Sequence, residues 1–214
     1  MTKGIHSQSD TNEVASHELP ATPLDPELAA SRAAKIKVSM ISLCGCWGCS
    51  LSLLDIDERM IDLLDKITIL RSSFTDIKRI PERCAIGFIE GGVANEDNIE
   101  TLRHFRDNCD VLISVGACAI WGGVPSLRNL VGLKDCLAEA YTNSPTLPPS
   151  ASPVVPYDRR IPILTNNVYP CHEVVQMDYF VPGCPPKAEA ILDVLEDLVN
   201  GRPVNLPKSL NQFD

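Results

Sequence analysis

Nine cysteines occur in a chain of 214 residues, and thiolate is the ligand that zinc and iron–sulfur clusters share. Cys46 and Cys49 have the C-x-x-C spacing that lets two sulfurs meet one metal centre from a tight loop. Cys118 follows Gly116 and Ala117, beside which the backbone can approach a bulky group. Cys184 has Gly183 before it and Pro185-Pro186 after it, a pair that stiffens the turn and opens a helix where proline is tolerated. Cys44, two residues before Cys46, is a fifth candidate and is expected to be a spare thiol. Cys84, Cys109 and Cys136 read as structural thiols, because free cysteine is among the most buried residue types. Cys171 stays open.

A lone C-x-x-C also suits a redox dithiol or half of a zinc site. A dithiol does not call for Cys118 and Cys184 at the same place. Structural zinc usually comes as two close pairs, whereas here one pair is joined by two distant single cysteines. Zinc also adds little to a domain large enough to fold on its own core. The spacing favours an iron–sulfur cluster over zinc or no metal. An odd number of cysteines argues against a disulfide framework. The first 35 residues carry no apolar h-region and no arginine pair, so the chain is expected in the cytoplasm, where thiols stay reduced.

The elements around these cysteines alternate. Residues 36–43, 67–72, 84–89, 111–115 and 178–181 read as strands, and residues 50–66, 95–108, 133–141 and 187–200 as helices. In the helix at 50–66, Leu53, Ile56, Met60, Leu63 and Leu64 are expected to face inward. The order β-α-β-β-α-β-α-β-α implies an α/β domain, a flavodoxin-like, doubly wound parallel sheet covered on both faces. In such sheets ligands gather at the carboxyl ends of the strands. Cys44, Cys46 and Cys49 follow the first strand, Cys118 the fourth and Cys184 the last, so all five are expected at one edge. Residues 1–34 read as a flexible N-terminal arm, residues 35–214 as the domain, and residues 142–170 as a Pro-rich loop that covers something or meets a partner. Lys plus Arg total 19 against 28 Asp plus Glu, a net charge of −9, with no basic run. That excludes nucleic acid and anionic membrane surfaces as partners. No apolar stretch approaches the roughly 18–20 residues of a membrane span.

Cys46-Trp47-Gly48-Cys49-Ser50, Gly116-Ala117-Cys118 with Gly122-Gly123 behind it, and Pro182-Gly183-Cys184-Pro185-Pro186 together resemble the small subunit of [NiFe] hydrogenases, over roughly residues 36–200. The resemblance implies that Cys46, Cys49, Cys118 and Cys184 bind one [4Fe–4S] cluster proximal to a nickel–iron site held by a separate large subunit. No cysteine follows Cys184 and no twin-arginine signal is present. In this the chain resembles the soluble NAD(P)-linked bidirectional type, hydrogen dehydrogenase. There a diaphorase module with flavin and further iron–sulfur clusters exchanges electrons with the pyridine nucleotide. The runner-up is the homologous cluster-bearing subunit of NADH:quinone oxidoreductase, whose first motif has two adjacent cysteines; here Trp47-Gly48 separates them. A zinc-stabilised interaction module is the alternative of another class.

No nucleophile–base pair and no phosphate-binding loop is present, so no catalytic residue is assigned and no activity is expected of the chain alone. Gly91-Gly92 and Gly122-Gly123 read as turns. His6, His17, His104 and His172 lack ligand spacing. The loop after the first strand of a flavodoxin cradles FMN phosphate; cysteines occupy it here, so FMN is the lesser expectation and receives no site. Trp47 and Trp121 suit either a hydrophobic interface with the catalytic subunit or shielding of the cluster. Glu90, at the end of the third strand, is expected to be an ordinary surface carboxylate.

Overall fold

The computed structural model describes residues 34–211 apart from 149 and 151, together with residues 27, 30 and 31. Seven strands follow in chain order: β1 (Ile36–Ser42), β2 (Ile67–Arg71), β3 (Cys84–Glu90), β4 (Val93–Asn95), β5 (Cys109–Val115), β6 (Leu164–Tyr169) and β7 (Tyr179–Val181). From residue 36 onward, six α-helices accompany them among the described residues: α1 (Gly48–Leu54), α2 (Arg59–Lys66), α3 (Glu96–Asn108), α4 (Gly116–Trp121), α5 (Leu133–Leu137) and α6 (Ala188–Val199). Five strands form one sheet in the order β2-β1-β3-β5-β7, and every pairing in it is parallel. That is the flavodoxin-like order 2-1-3-4-5 when the sheet strands alone are counted. All the carboxyl ends therefore share one edge, as expected.

The strand residues divide between two apolar clusters on the two faces of the sheet, with Phe88 and Ile89, and Leu112 and Ile113, as successive side chains on opposite faces. Ile86, Phe88, Ile113 and Val115 pack with Leu53, Ile56 and Leu63 and with Ile191, Val194 and Leu195 of α6. Cys84, Ile89, Cys109 and Leu112 pack on the other face with Leu102 and Phe105 of α3. Burial on both faces explains why the central strands are nearly continuous apolar runs. α3 starts where Asn95 accepts a hydrogen bond from the Asn98 N–H, 2.8 Å, a side-chain cap for an otherwise orphaned donor.

The structure departs from the periodicity in several places. The helix expected over 50–66 is broken into α1 and α2, and Asp57 sits between them with φ 54 in the left-handed region, which Asp tolerates better than most residues. Leu53, Ile56 and Leu63 stay buried across the break, so the apolar period runs through a turn that it does not reveal. Leu64, expected inward, is exposed. The Pro-rich stretch contains a strand, β6, antiparallel to β4 in a separate two-stranded sheet; Thr165, Asn166 and Asn167 hide it from an apolar pattern. The helix expected over 133–141 is α5 followed by a π-turn at Ala138–Thr142. The chain divides into two units, Met1–Ala33 and Ala34–Asp214. The expectation of a flexible arm lies almost wholly outside the described residues, of which Glu27, Ala30, Ser31 and Ala34 are helical.

Candidate metal centre

Cys46, Cys49, Cys118 and Cys184 line one cavity of about 60 Å³ at the carboxyl edge of the sheet, with Glu90, Gly91, Ala117, Gly183 and Pro185 around them. They arrive from three separate segments. Cys46 precedes α1 and Cys49 lies within it, Cys118 lies on α4, and Cys184 lies in the turn between β7 and α6. The Ala117 N–H donates to the Gly183 carbonyl, 2.8 Å, which ties the last two segments together.

Local backbone choices aim the sulfurs. Trp47 has φ 71, a left-handed conformation that costs a bulky residue roughly 1–3 kcal/mol. This turn starts α1, with the Leu51 N–H bonded to the Trp47 carbonyl at 3.0 Å, and brings Cys46 and Cys49 to the same cavity. The Trp47 ring meets Phe74 edge-on with centroids 5.5 Å apart. Gly116 has φ +83, and a methyl there would overlap the Cys49 sulfur. A Cβ at Gly123 would lie 2.9 Å from the Cys118 sulfur. Two ligand-type sulfurs are thus seated against glycines, where no other residue leaves room.

The donor set fits a polynuclear group better than a single ion. Among the described residues no three His, Cys, Asp or Glu converge closely enough to hold one metal ion, yet four thiols ring one cavity. Zinc needs all four sulfurs about 2.3 Å from one point. Burial, then Glu90, then the three neighbouring thiols push the Cys49 thiol far above the ordinary thiol range. Burial, followed by Cys184 and Cys46, raises Cys118 as well. So many incipient anions in one cavity are costly by themselves, and a cationic centre reverses that balance.

The other cysteines sort by place. Cys84 and Cys109 are fully buried in-register partners on β3 and β5, at the opposite edge, and the Cys84 thiol lies within hydrogen-bond distance of the Lys37 and Ile86 carbonyls, 3.2 and 3.1 Å. Cys136 is half-buried on α5. Cys171, left open by the sequence, is fully buried and donates to the Gly91 carbonyl at 3.5 Å. Cys44 is half-buried and does not line the cavity. Residues two apart in an extended segment share a face, so spacing alone does not exclude it. Its backbone is held against Gly92 by bonds of 3.0 and 2.8 Å, outside the cavity that the other four thiols line. Glu90 corrects the expectation of a surface carboxylate: it is only 5% exposed. Its Oε2 accepts the Ser50 N–H at 2.6 Å, and Oε1 is buried with no hydrogen-bond partner among the described residues. Its position at a strand end beside two glycines reads as a turn, whereas α1 and residues of β1, β5 and α6 wall it in.

A sequence family described as NADH ubiquinone oxidoreductase, 20 Kd subunit, matches residues 46–198. The chain is 70% identical over 203 residues to the NAD-reducing hydrogenase HoxS subunit delta of Cupriavidus necator, covering 95% of this chain and 97% of that one. It belongs to the small subunits of [NiFe] hydrogenases. This small subunit matches a chain of a solved NAD+-reducing [NiFe]-hydrogenase in the H2-reduced state with TM-score 0.81 and 42% identity, covering 84% of this chain and 99% of that one. It is also 36% identical over 177 residues to a chain of the F420-non-reducing hydrogenase of Methanococcus voltae, covering 82% of this chain and 60% of the relative. No helix among its described residues is long and apolar enough to cross a membrane.

Proposed function

We propose that this chain is the electron-relaying small subunit of a cytoplasmic NAD(P)-reducing [NiFe] hydrogenase, with one [4Fe–4S] cluster held by Cys46, Cys49, Cys118 and Cys184. The observation that carries this reading is the convergence of four thiols, from three separate segments, on one cavity. When bound, the cluster supplies one-electron transfer. The chain's own residues seat it: the Trp47 turn and Gly116 aim two sulfurs, and the link from Ala117 to Gly183 keeps α4 and the Cys184 turn in register.

Two partners follow from a relay: the hydrogenase large subunit with its nickel–iron site, and diaphorase subunits carrying flavin and iron–sulfur clusters. The surface supports docking. Val124, Leu127 and Leu130, on the 3-10 helix just after α4, are 68%, 61% and 83% exposed, and Trp121 beside them is 40% exposed. Apolar groups so grouped on a surface mark interaction sites. The relationship to a hydrogenase of that kind at 70% identity also supports the assignment over a quinone-linked complex.

The test is iron and acid-labile sulfide per chain, in the purified complex, for single alanine variants. Cys46→Ala, Cys49→Ala, Cys118→Ala and Cys184→Ala are each expected to lose or convert the cluster, whereas Cys109→Ala and Cys136→Ala keep it. A full complement of iron and sulfide in Cys184→Ala contradicts the ligand set.

A further inference from the structure

Glu90 is a carboxylate enclosed on every side. One side lines the cysteine-ringed cavity. The other lines a second void of about 20 Å³, walled by Met40, Leu53, Phe88, Val115 and Ile191 together with Cys49 and Ser50. That void has room for about one water and offers little to solvate a charge. The Ser50 N–H, one residue beyond Cys49, donates to Oε2, while Oε1 has no hydrogen-bond partner among the described residues. The eight described ion pairs all lie elsewhere and none includes Glu90. A group that costs this much to bury, at one point on the cavity wall, needs a compensating role.

We propose that Glu90 is a positioning residue of the metal centre that fixes the Cys49 segment through Ser50 and holds the reduction potential of the bound cluster low by its negative charge. The inference rests on the cluster reading above. Reduction adds an electron to the cluster, and a fixed anion in a poorly screened pocket opposes that addition. Glu90 lines the same cavity wall as Cys49 and is bonded to the backbone of the next residue, so its charge sits at the edge of the site. A cluster kept at low potential is a stronger donor, which suits a chain that passes electrons on to a low-potential acceptor such as a pyridine nucleotide.

The experiment is an EPR-monitored redox titration of the intact complex carrying wild-type chain, Glu90→Gln or Glu90→Asp, with iron counted in each. The signal of this chain is assigned by its absence in Cys184→Ser. Glu90→Gln keeps the shape and an acceptor for Ser50 but removes the charge. Its midpoint is expected to rise by at least a tenfold change in the reduced-to-oxidised ratio at fixed potential, which is 59 mV for one electron. Glu90→Asp keeps the charge and is expected to move less than half as far. A smaller rise in Glu90→Gln, an equal rise in both variants, or loss of iron from Glu90→Gln overturns the proposal, the last because it would assign Glu90 to assembly. A wild-type complex with no reducible iron–sulfur signal from this chain would instead overturn the cluster reading.

Discussion

Cys46 and Cys49 share one loop but meet different surroundings. Cys46 is exposed, whereas Cys49 is half-buried beneath Gly116 and beside Glu90. The Cys49 side of the cavity is therefore the least tolerant of change. Gly116→Ala adds a methyl that overlaps the Cys49 sulfur and strains a backbone at φ +83. We expect this variant to purify with less than half the wild-type iron, checked by iron and sulfide assay against a normal circular-dichroism spectrum. Cys44→Ser is expected to keep its full iron while Cys46→Ser loses it; the reverse result would exchange their roles. Much at this scale is legible in the chain. C-x-x-C, Gly-Ala-Cys and Gly-Cys-Pro-Pro identify the four thiols because each motif follows a strand. Glu90 is not legible, since nothing in Glu-Gly-Gly tells a buried carboxylate from a turn, and its burial depends on a helix forty residues earlier.

At the scale of elements, the sheet positions the site and Asp178 secures its last strand. Asp178 Oδ2 accepts from the Leu112 N–H and from Arg106 Nη1, both at 2.7 Å, and the Asp178 N–H donates to the Leu112 carbonyl at 2.8 Å. These bonds fix where β7 joins β5, and so where Cys184 emerges. Asp178→Ala leaves the Leu112 donor unpaired. It is expected to destabilise the fold by about 2 kcal/mol, read from the urea midpoint at unchanged slope. Phe105→Ala, in the fully buried cluster under α3, is expected to cost about 3–5 kcal/mol. Strand order and helix faces can be read from period alone because both faces of the sheet are buried. The break at Asp57 cannot, because the buried residues on its two sides stay in step. Neither can β6, whose partner is the three-residue β4 and whose middle residues, Thr165, Asn166 and Asn167, are polar. α4 escapes for a similar reason: six residues give too little periodicity, and only the cysteine in it stands out.

At the scale of the whole molecule, the proposal makes the chain a holder of one redox group between two partners. It offers no close second set of cysteine or histidine ligands among its described residues, so nickel is expected to be absent from it when purified alone. The central claim is the relay, and the most direct measurement compares two half-reactions in the assembled complex. Cys184→Ser should be used after subunit stoichiometry is verified, because a centre built from separate segments also stabilises the fold around it. NADH-dependent dye reduction needs only the diaphorase flavin and is expected to persist. Hydrogen-driven NAD(P) reduction is expected to vanish, since electrons leaving the nickel–iron site would have no acceptor within reach. Hydrogen-driven NAD(P) reduction at the wild-type rate, in a complex shown to lack this cluster, would contradict the account and route the electrons through another subunit.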